Sequence, residues 1–175
     1  MKIILVFVSS LDGRITRWGE PHVMSWTSKE DQEYFKKNWR EHKLIVIGSG
    51  TYDAEPISAP KENRLIILTS HPENYKDKVV AGHLEFTDES PANLVKRLSS
   101  EGHTEMMLAG GPHVATSFLK EHLVDELWLT LEPKIFASGE NFAVGDKLDI
   151  DLHLLSSEKV NERGTLILKY RVLKH

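Results

Sequence analysis

The sequence predicts an α/β fold with a central mixed, mostly parallel sheet and a C-terminal antiparallel hairpin. Short apolar runs alternate with stretches of helical periodicity, the order expected of parallel strands joined by helices. The first run, Ile3-Ile4-Leu5-Val6-Phe7-Val8, is continuously apolar, as a strand covered on both faces must be. Two strand-like segments near the C-terminus flank Asn161-Glu162-Arg163-Gly164, a turn-forming sequence, and read as a hairpin.

Ile3–Val8 is the first strand. Ser28 N-caps the next helix, and Asp31, three residues on, occupies the capping-box position. Along that helix Asp31, Phe35 and Trp39 recur at i, i+4, which sets a carboxylate on the same face as two aromatics. Leu44–Ile47 is the second strand, ending at Gly48-Ser49-Gly50-Thr51, with Pro56 and Pro60 punctuating the loop beyond. Leu65–Leu68 is the third, ending at Thr69-Ser70, and Leu84–Phe86 is a short fourth. A helix over Pro91–Ser100 leads to strand Met106–Ala109. Gly110-Gly111-Pro112 then opens a helix through Leu119, with the proline where its missing N–H is not needed. Leu123–Leu131 is a long strand, and Leu152–Val160 and Thr165–Val172 form the hairpin. No repeat or long linker interrupts the chain, so residues 1–175 are expected to form one domain.

The chain is 40% hydrophobic and 27% charged, ordinary globular proportions that exclude collagen-like and disordered classes. It contains no cysteine, which removes disulfide frameworks, thiol nucleophiles and cysteine-held clusters. A net charge of −4 argues against nucleic acid or an anionic membrane as partner. The N-terminal apolar run is too short to cross a bilayer and no cleavage site follows it, so a soluble cytoplasmic protein is expected. The nine histidines are scattered without His-x-His or His-Glu-x-x-His spacing, and no metal site is expected.

Ligands of open α/β sheets lie beyond the carboxyl ends of parallel strands. Three such ends are small, polar or glycine-rich: Gly48-Ser49-Gly50-Thr51, Thr69-Ser70-His71 and Gly110-Gly111-Pro112-His113. Glycine lets backbone approach a ligand, and a helix N-terminus offers free N–H groups to phosphate. Turn conformation is the better explanation of each glycine pair alone; the convergence of all three points to a phosphate-rich ligand such as a dinucleotide. Neither a Gly-x-Gly-x-x-Gly after the first strand nor a P-loop is present. Asp31 has two readings. Either it caps its helix or complements the helix dipole, or, beside Phe35, it is a desolvated acid suited to proton donation or to holding a polar heterocycle.

The chain carries Ser10-Leu11-Asp12-Gly13-Arg14-Ile15 after the first strand and Gly48-Ser49-Gly50-Thr51-Tyr52 after the second. Ala109-Gly110-Gly111-Pro112-His113-Val114 and Leu123-Val124-Asp125-Glu126-Leu127 follow, then Glu132-Pro133. In order and spacing this set resembles the dihydrofolate reductase-like superfamily, and within it the C-terminal reductase domain of the bacterial bifunctional deaminase-reductase of riboflavin biosynthesis, from about Met1 to Val172. The resemblance implies a three-layer α/β/α fold and an NADPH-dependent reductase, similar to the one that converts a ribosylaminopyrimidine to its ribitylamino form. Without the deaminase domain, reductase activity alone is expected. A dihydrofolate or pterin reductase and a non-catalytic nucleotide-binding module are the alternatives.

The same resemblance implies residue roles. Ile15 and Thr16 would flank the nicotinamide on a mobile loop. Gly48, Gly50 and Thr51 would belong to the cofactor groove at the pyrophosphate, and Leu68, Thr69, Ser70 and His71 to the part around the adenosine 2′-phosphate. Gly110 and Gly111 would bring backbone against the cofactor, with His113 and Val114 beside its phosphates. Val8, Trp26 and Phe35 would line the pocket of a heterocyclic substrate, in which Asp31 and Thr130 would form the catalytic pair. A homodimer is also implied, with Trp128 of the alternating strand Leu127–Glu132 exposed near a sheet edge. Two departures bear on the substrate. Ala109 stands where riboflavin-type reductases carry glutamate, and Glu55–Pro60 lacks their loop arginine, leaving Lys61 and Arg64 as the nearest cations.

Overall fold

The computed structural model describes residues 1–54, 58, 60–145 and 147–174; Pro56, with Glu55, Ile57 and Ala59 of the same loop, lies outside them. One eight-stranded sheet holds β1 (Lys2–Ser10), β2 (Leu44–Gly48), β3 (Arg64–Leu68), β4 (Leu84–Thr87), β5 (Glu105–Leu108), β6 (Glu126–Glu132), β7 (Leu152–Lys159) and β8 (Leu166–Val172). The order across it is β4-β3-β2-β5-β1-β6-β8-β7. Strands β1 to β6 run parallel, and the β7–β8 hairpin joins β6 in antiparallel fashion.

Crossover helices bury both faces of a parallel sheet. Helices α1 (Lys29–Glu41) and α2 (Ser49–Ala54) cover one face, where Trp39 and Tyr52 pack with Ile4, Val6, Ile45 and Ile47. Helices α3 (Pro91–Ser100) and α4 (Pro112–Lys120) cover the other, where Leu94, Leu98 and Phe118 pack with Ile3, Leu5, Leu44 and Val46. Successive residues of β1 thus enter opposite cores, and the molecule has three layers, α/β/α. The helix after β2 and the helix after β5 lie on opposite faces although β2 and β5 are neighbours. The crevice beyond their carboxyl ends is therefore the topological switch point, where such sheets bind ligands.

Most element ends fall within a residue or two of expectation. Leu123–Asp125, read as strand, is instead the approach to β6, where the Asp125 carboxylate accepts the Ile3 N–H at 2.7 Å. Two 3₁₀ helices, Val23–Ser25 and Pro72–Lys78, add to the expected set. The placement of Trp128 near an edge is corrected, because β8 pairs onto β6 and makes it an interior strand. The Trp128 indole N–H donates to Glu126 at 2.8 Å, and the Lys169 ammonium sits 3.8 Å from the ring centroid. The edges are β4 and β7, and the residues of β7 are all exposed. Among the described residues no helix is long and apolar enough to cross a membrane.

Candidate active site

A cavity of about 1080 Å³ opens at the switch point and extends along α1. Backbone builds much of one half. Gly48 ends β2 and donates its N–H to the Gly110 oxygen at 2.9 Å. A Cβ on Gly48 would stand 3.0 Å from Val114 Cγ2, so glycine is what lets the first turn of α4 approach β2. The Gly110–Gly111 peptide bond is cis. Gly111 N-caps α4 without a side-chain hydrogen bond and Pro112 has no N–H, which leaves the N–H groups of His113 and Val114 without intrahelical acceptors at the cavity wall. Gly50 and Thr51 of α2 and Leu68, Thr69 and Ser70 at the end of β3 complete this wall. His71 stands outside it, its imidazole 3.2 Å from the Glu73 carboxylate.

Ile15 and Thr16 also line the cavity, from the loop after β1. Asp12 anchors that loop. Its carboxylate accepts the Ser10 hydroxyl at 2.6 Å and the Ala137 N–H at 2.7 Å, and these bonds hold its carboxyl down at about 2. Thr16 Oγ1 accepts the Glu140 N–H at 2.8 Å, and the Ile15 N–H donates to the Glu140 oxygen at 2.8 Å.

The other half lies between α1 and β6. Asp31 and Phe35 face it from α1, Thr130 from β6 and Val8 from β1. Asp31 is only 6% exposed. Burial pushes its carboxyl up to about 6 and the negative charge of Glu132 adds to the rise, while hydrogen bonds from the Thr130 and Thr27 side chains oppose it. That carboxyl does not cap α1. The cap is Ser28, whose Oγ accepts the Asp31 N–H at 3.2 Å, and the Ser28 N–H donates to Glu132 Oε1 at 2.7 Å. Trp26 stands behind the wall, buried, with its indole edge-on to Phe136 at a centroid distance of 5.1 Å.

Arg64 is committed elsewhere, to Glu85 at 2.6 Å and to Glu101, so the cations lining the cavity on the α1 side are Lys36 and Arg40. Two groups escape the sequence reading. Tyr34 lines the cavity, and burial pushes its hydroxyl up to about 12. Glu132 is buried beneath it, and one signal for it is local: alternation along β6 sets it on the same face as Thr130. Among the described residues no group of three or more His, Cys, Asp or Glu could hold a metal ion.

An extended dinucleotide fits the first half, where side-chain-free backbone at Gly110 and Gly111, free N–H groups of α4 and the hydroxyls of Thr51, Thr69 and Ser70 share one wall. A family model described as the RibD C-terminal domain matches residues 1–166. The chain belongs to the RibD C-terminal domain family. This RibD C-terminal domain protein is 25% identical over 145 residues to the uncharacterized protein YwjB of Bacillus subtilis (strain 168), covering 79% of this chain and 80% of that one. Its fold is similar to that of a pyrimidine reductase-like protein from Corynebacterium diphtheriae, with a TM-score of 0.79 at 16% identity over 99% of this chain and 92% of that one. It also matches a Thermotoga maritima diaminohydroxyphosphoribosylaminopyrimidine deaminase/5-amino-6-(5-phosphoribosylamino)uracil reductase, with a TM-score of 0.73 at 16% identity over 97% of this chain. The RibD-type chain spans 56% of that protein, and at these identities the likeness is one of dihydrofolate reductase-like fold.

Proposed function

We propose that this RibD C-terminal domain protein is an NADPH-dependent reductase of a heterocyclic small molecule, with the ribosylaminopyrimidine of riboflavin biosynthesis as its first candidate substrate. The observation that carries this reading is continuity: the wall suited to a dinucleotide and the Asp31–Thr130 pocket open into one cavity. When bound, NADPH supplies the hydride. The residues of this chain orient the reactants and hold a proton. Asp31 retains its proton to about pH 6 and, supported by Thr130, is the acid of the site. Val8 and Phe35 pack against the substrate ring, and Ile15 and Thr16 flank the nicotinamide. The hydroxyls of Thr69 and Ser70 and the Ser70 N–H are offered to a 2′-phosphate, which NADH lacks; the Thr69 N–H is already given to the Thr87 oxygen at 3.0 Å.

A dihydropterin is the second reading, favoured by Asp31 itself, because a buried carboxyl can grip the paired N–H groups of an aminopyrimidine edge. The proposed compartment is the cytoplasm, and the proposed protein partner is a second copy of the chain. Nucleic acid and membrane have no part in the reading.

NADPH consumption with ribosylaminopyrimidine phosphate and dihydropterin substrates tests it, alongside thermal shifts with NADPH and NADH. Saturable oxidation with one substrate class and a larger shift with NADPH are expected. NADPH binding without oxidation by either class would leave a nucleotide-binding module and overturn the enzyme. Equal shifts at matched concentration would remove the cofactor preference.

A further inference from the structure

Asp31 is the third residue of α1 after the N-cap Ser28. In a capping box the side chain at that position reaches back to accept the N–H of the N-cap residue. Here that N–H has another acceptor, Glu132 Oε1 of β6, at 2.7 Å. Glu132 Oε2 accepts the Thr165 hydroxyl at 2.9 Å, and Asn161 donates to both Thr165 Oγ1 at 2.9 Å and Glu30 at 3.0 Å. The turn between β7 and β8, the end of β6 and the start of α1 are thereby tied together. Glu132 is 2% exposed and does not line the cavity. A carboxylate removed from water this fully persists only if its oxygens are hydrogen-bonded, and both bonds of Glu132 go to framework.

We propose that Glu132 is the positioning residue for Asp31: by accepting the Ser28 N–H it performs the half of the capping box that the third helical residue would otherwise perform, and so leaves the Asp31 carboxyl facing the cavity beside Thr130. The consequence for turnover rests on the reductase reading; the geometry does not. Glu132 also acts through its charge, which opposes ionisation of Asp31. The other charged or titratable groups around the pair are Glu30 and Tyr34 of α1, Glu158 of β7, which together with Asp31 acts on Tyr34, and the cations Lys36 and Arg40 farther along α1.

Two variants test the proposal in the full chain. Glu132→Gln keeps an oxygen for the Ser28 N–H and removes the charge, whereas Glu132→Ala removes both. The readouts are the pH titration of the Asp31 carboxyl by NMR and the pH profile of turnover. In Glu132→Gln the Asp31 midpoint is expected to fall only in part, because burial, the larger cause of its rise, persists, and the turnover profile to move down with it. In Glu132→Ala the Asp31 carboxyl is expected to turn back to the Ser28 N–H, and turnover to fall by about 100-fold, the scale of a small misplacement of a reacting group. Glu132→Gln is expected to retain most of that turnover. An Asp31 carboxyl whose titration is unchanged by Glu132→Ala, beside parent-like turnover, overturns the proposal; if that variant fails to fold, a loss of turnover of about 100-fold in Glu132→Gln, which keeps the oxygen for the Ser28 N–H, overturns it. A shifted midpoint in a protein that oxidises NADPH with neither substrate class keeps the positioning role and overturns the reductase reading.

Discussion

Asp31 titrates near 6 in the folded chain, against 3.8 for a free aspartate side chain. Between those values the folded form holds a proton that the unfolded form has released, so stability falls as pH rises from about 4 to about 6 and stays lower above that. A rise of this size corresponds to roughly 3 kcal/mol. Asp31→Asn keeps the shape and removes the ionisation. Its melting temperature should therefore equal or exceed that of the parent above about pH 7, and the fall between about pH 4 and 6 should flatten. NADPH affinity should stay nearly intact, since other strand ends build that wall, while turnover should drop by about 10²–10⁴, the scale for losing a positioned acid. A helix-capping carboxyl would give the reverse, lower stability with turnover retained, and Ser28 already fills the capping role. Parent-like turnover in Asp31→Asn, measured beside its melting curve, would sink the catalytic assignment.

At the scale of elements, the proposed cofactor site is tested where the start of α4 packs against α2. Gly111 has a φ of −78°, outside the left-handed region that favours glycine. A Cβ there would lie 3.1 Å from Thr51 Oγ1, and the branches of a valine would press on α2 and enter the wall. In folded Gly111→Val, NADPH affinity should be reduced by about 100-fold or more, about 2.7 kcal/mol, as read by titration. A folded variant with parent-like affinity would remove the cofactor from this wall. The strand ends that make the wall are legible in the sequence because glycine, serine and threonine break the apolar runs there. The start of α3 is legible from Pro91, and the structure adds Ser90 as its cap, whose hydroxyl accepts the Asn93 N–H at 3.4 Å. The 3₁₀ helices, of three and seven residues, are too short to show a period. The role of Glu132 is not legible either, because its partners Ser28 and Thr165 lie 104 and 33 residues away and no local pattern links them.

For the molecule as a whole, among the described residues no strand pairs on the outer side of β7. One side of that strand pairs with β8 and the other carries open N–H and C=O groups. Leu152, Leu154 and Leu155 on it are 41%, 47% and 40% exposed, and its charges, Glu158 and Lys159, are confined to the far end. Chains that remain single blunt such an edge with lysine, proline or a covering loop. This edge is apolar along half its length, so we propose that it meets β7 of a second copy about a two-fold axis, the commonest closed arrangement for like chains. This proposal places at β7 the contact that the sequence reading expected near Trp128. Light scattering at micromolar concentration should give twice the chain mass. Leu154→Lys places a charge on a side chain that solvent already reaches, so folding should change by no more than about 0.5 kcal/mol while the mass falls to that of one chain. A parent protein of single-chain mass would exclude the dimer, and a Leu154→Lys protein that stays dimeric would put its contact on a surface other than β7.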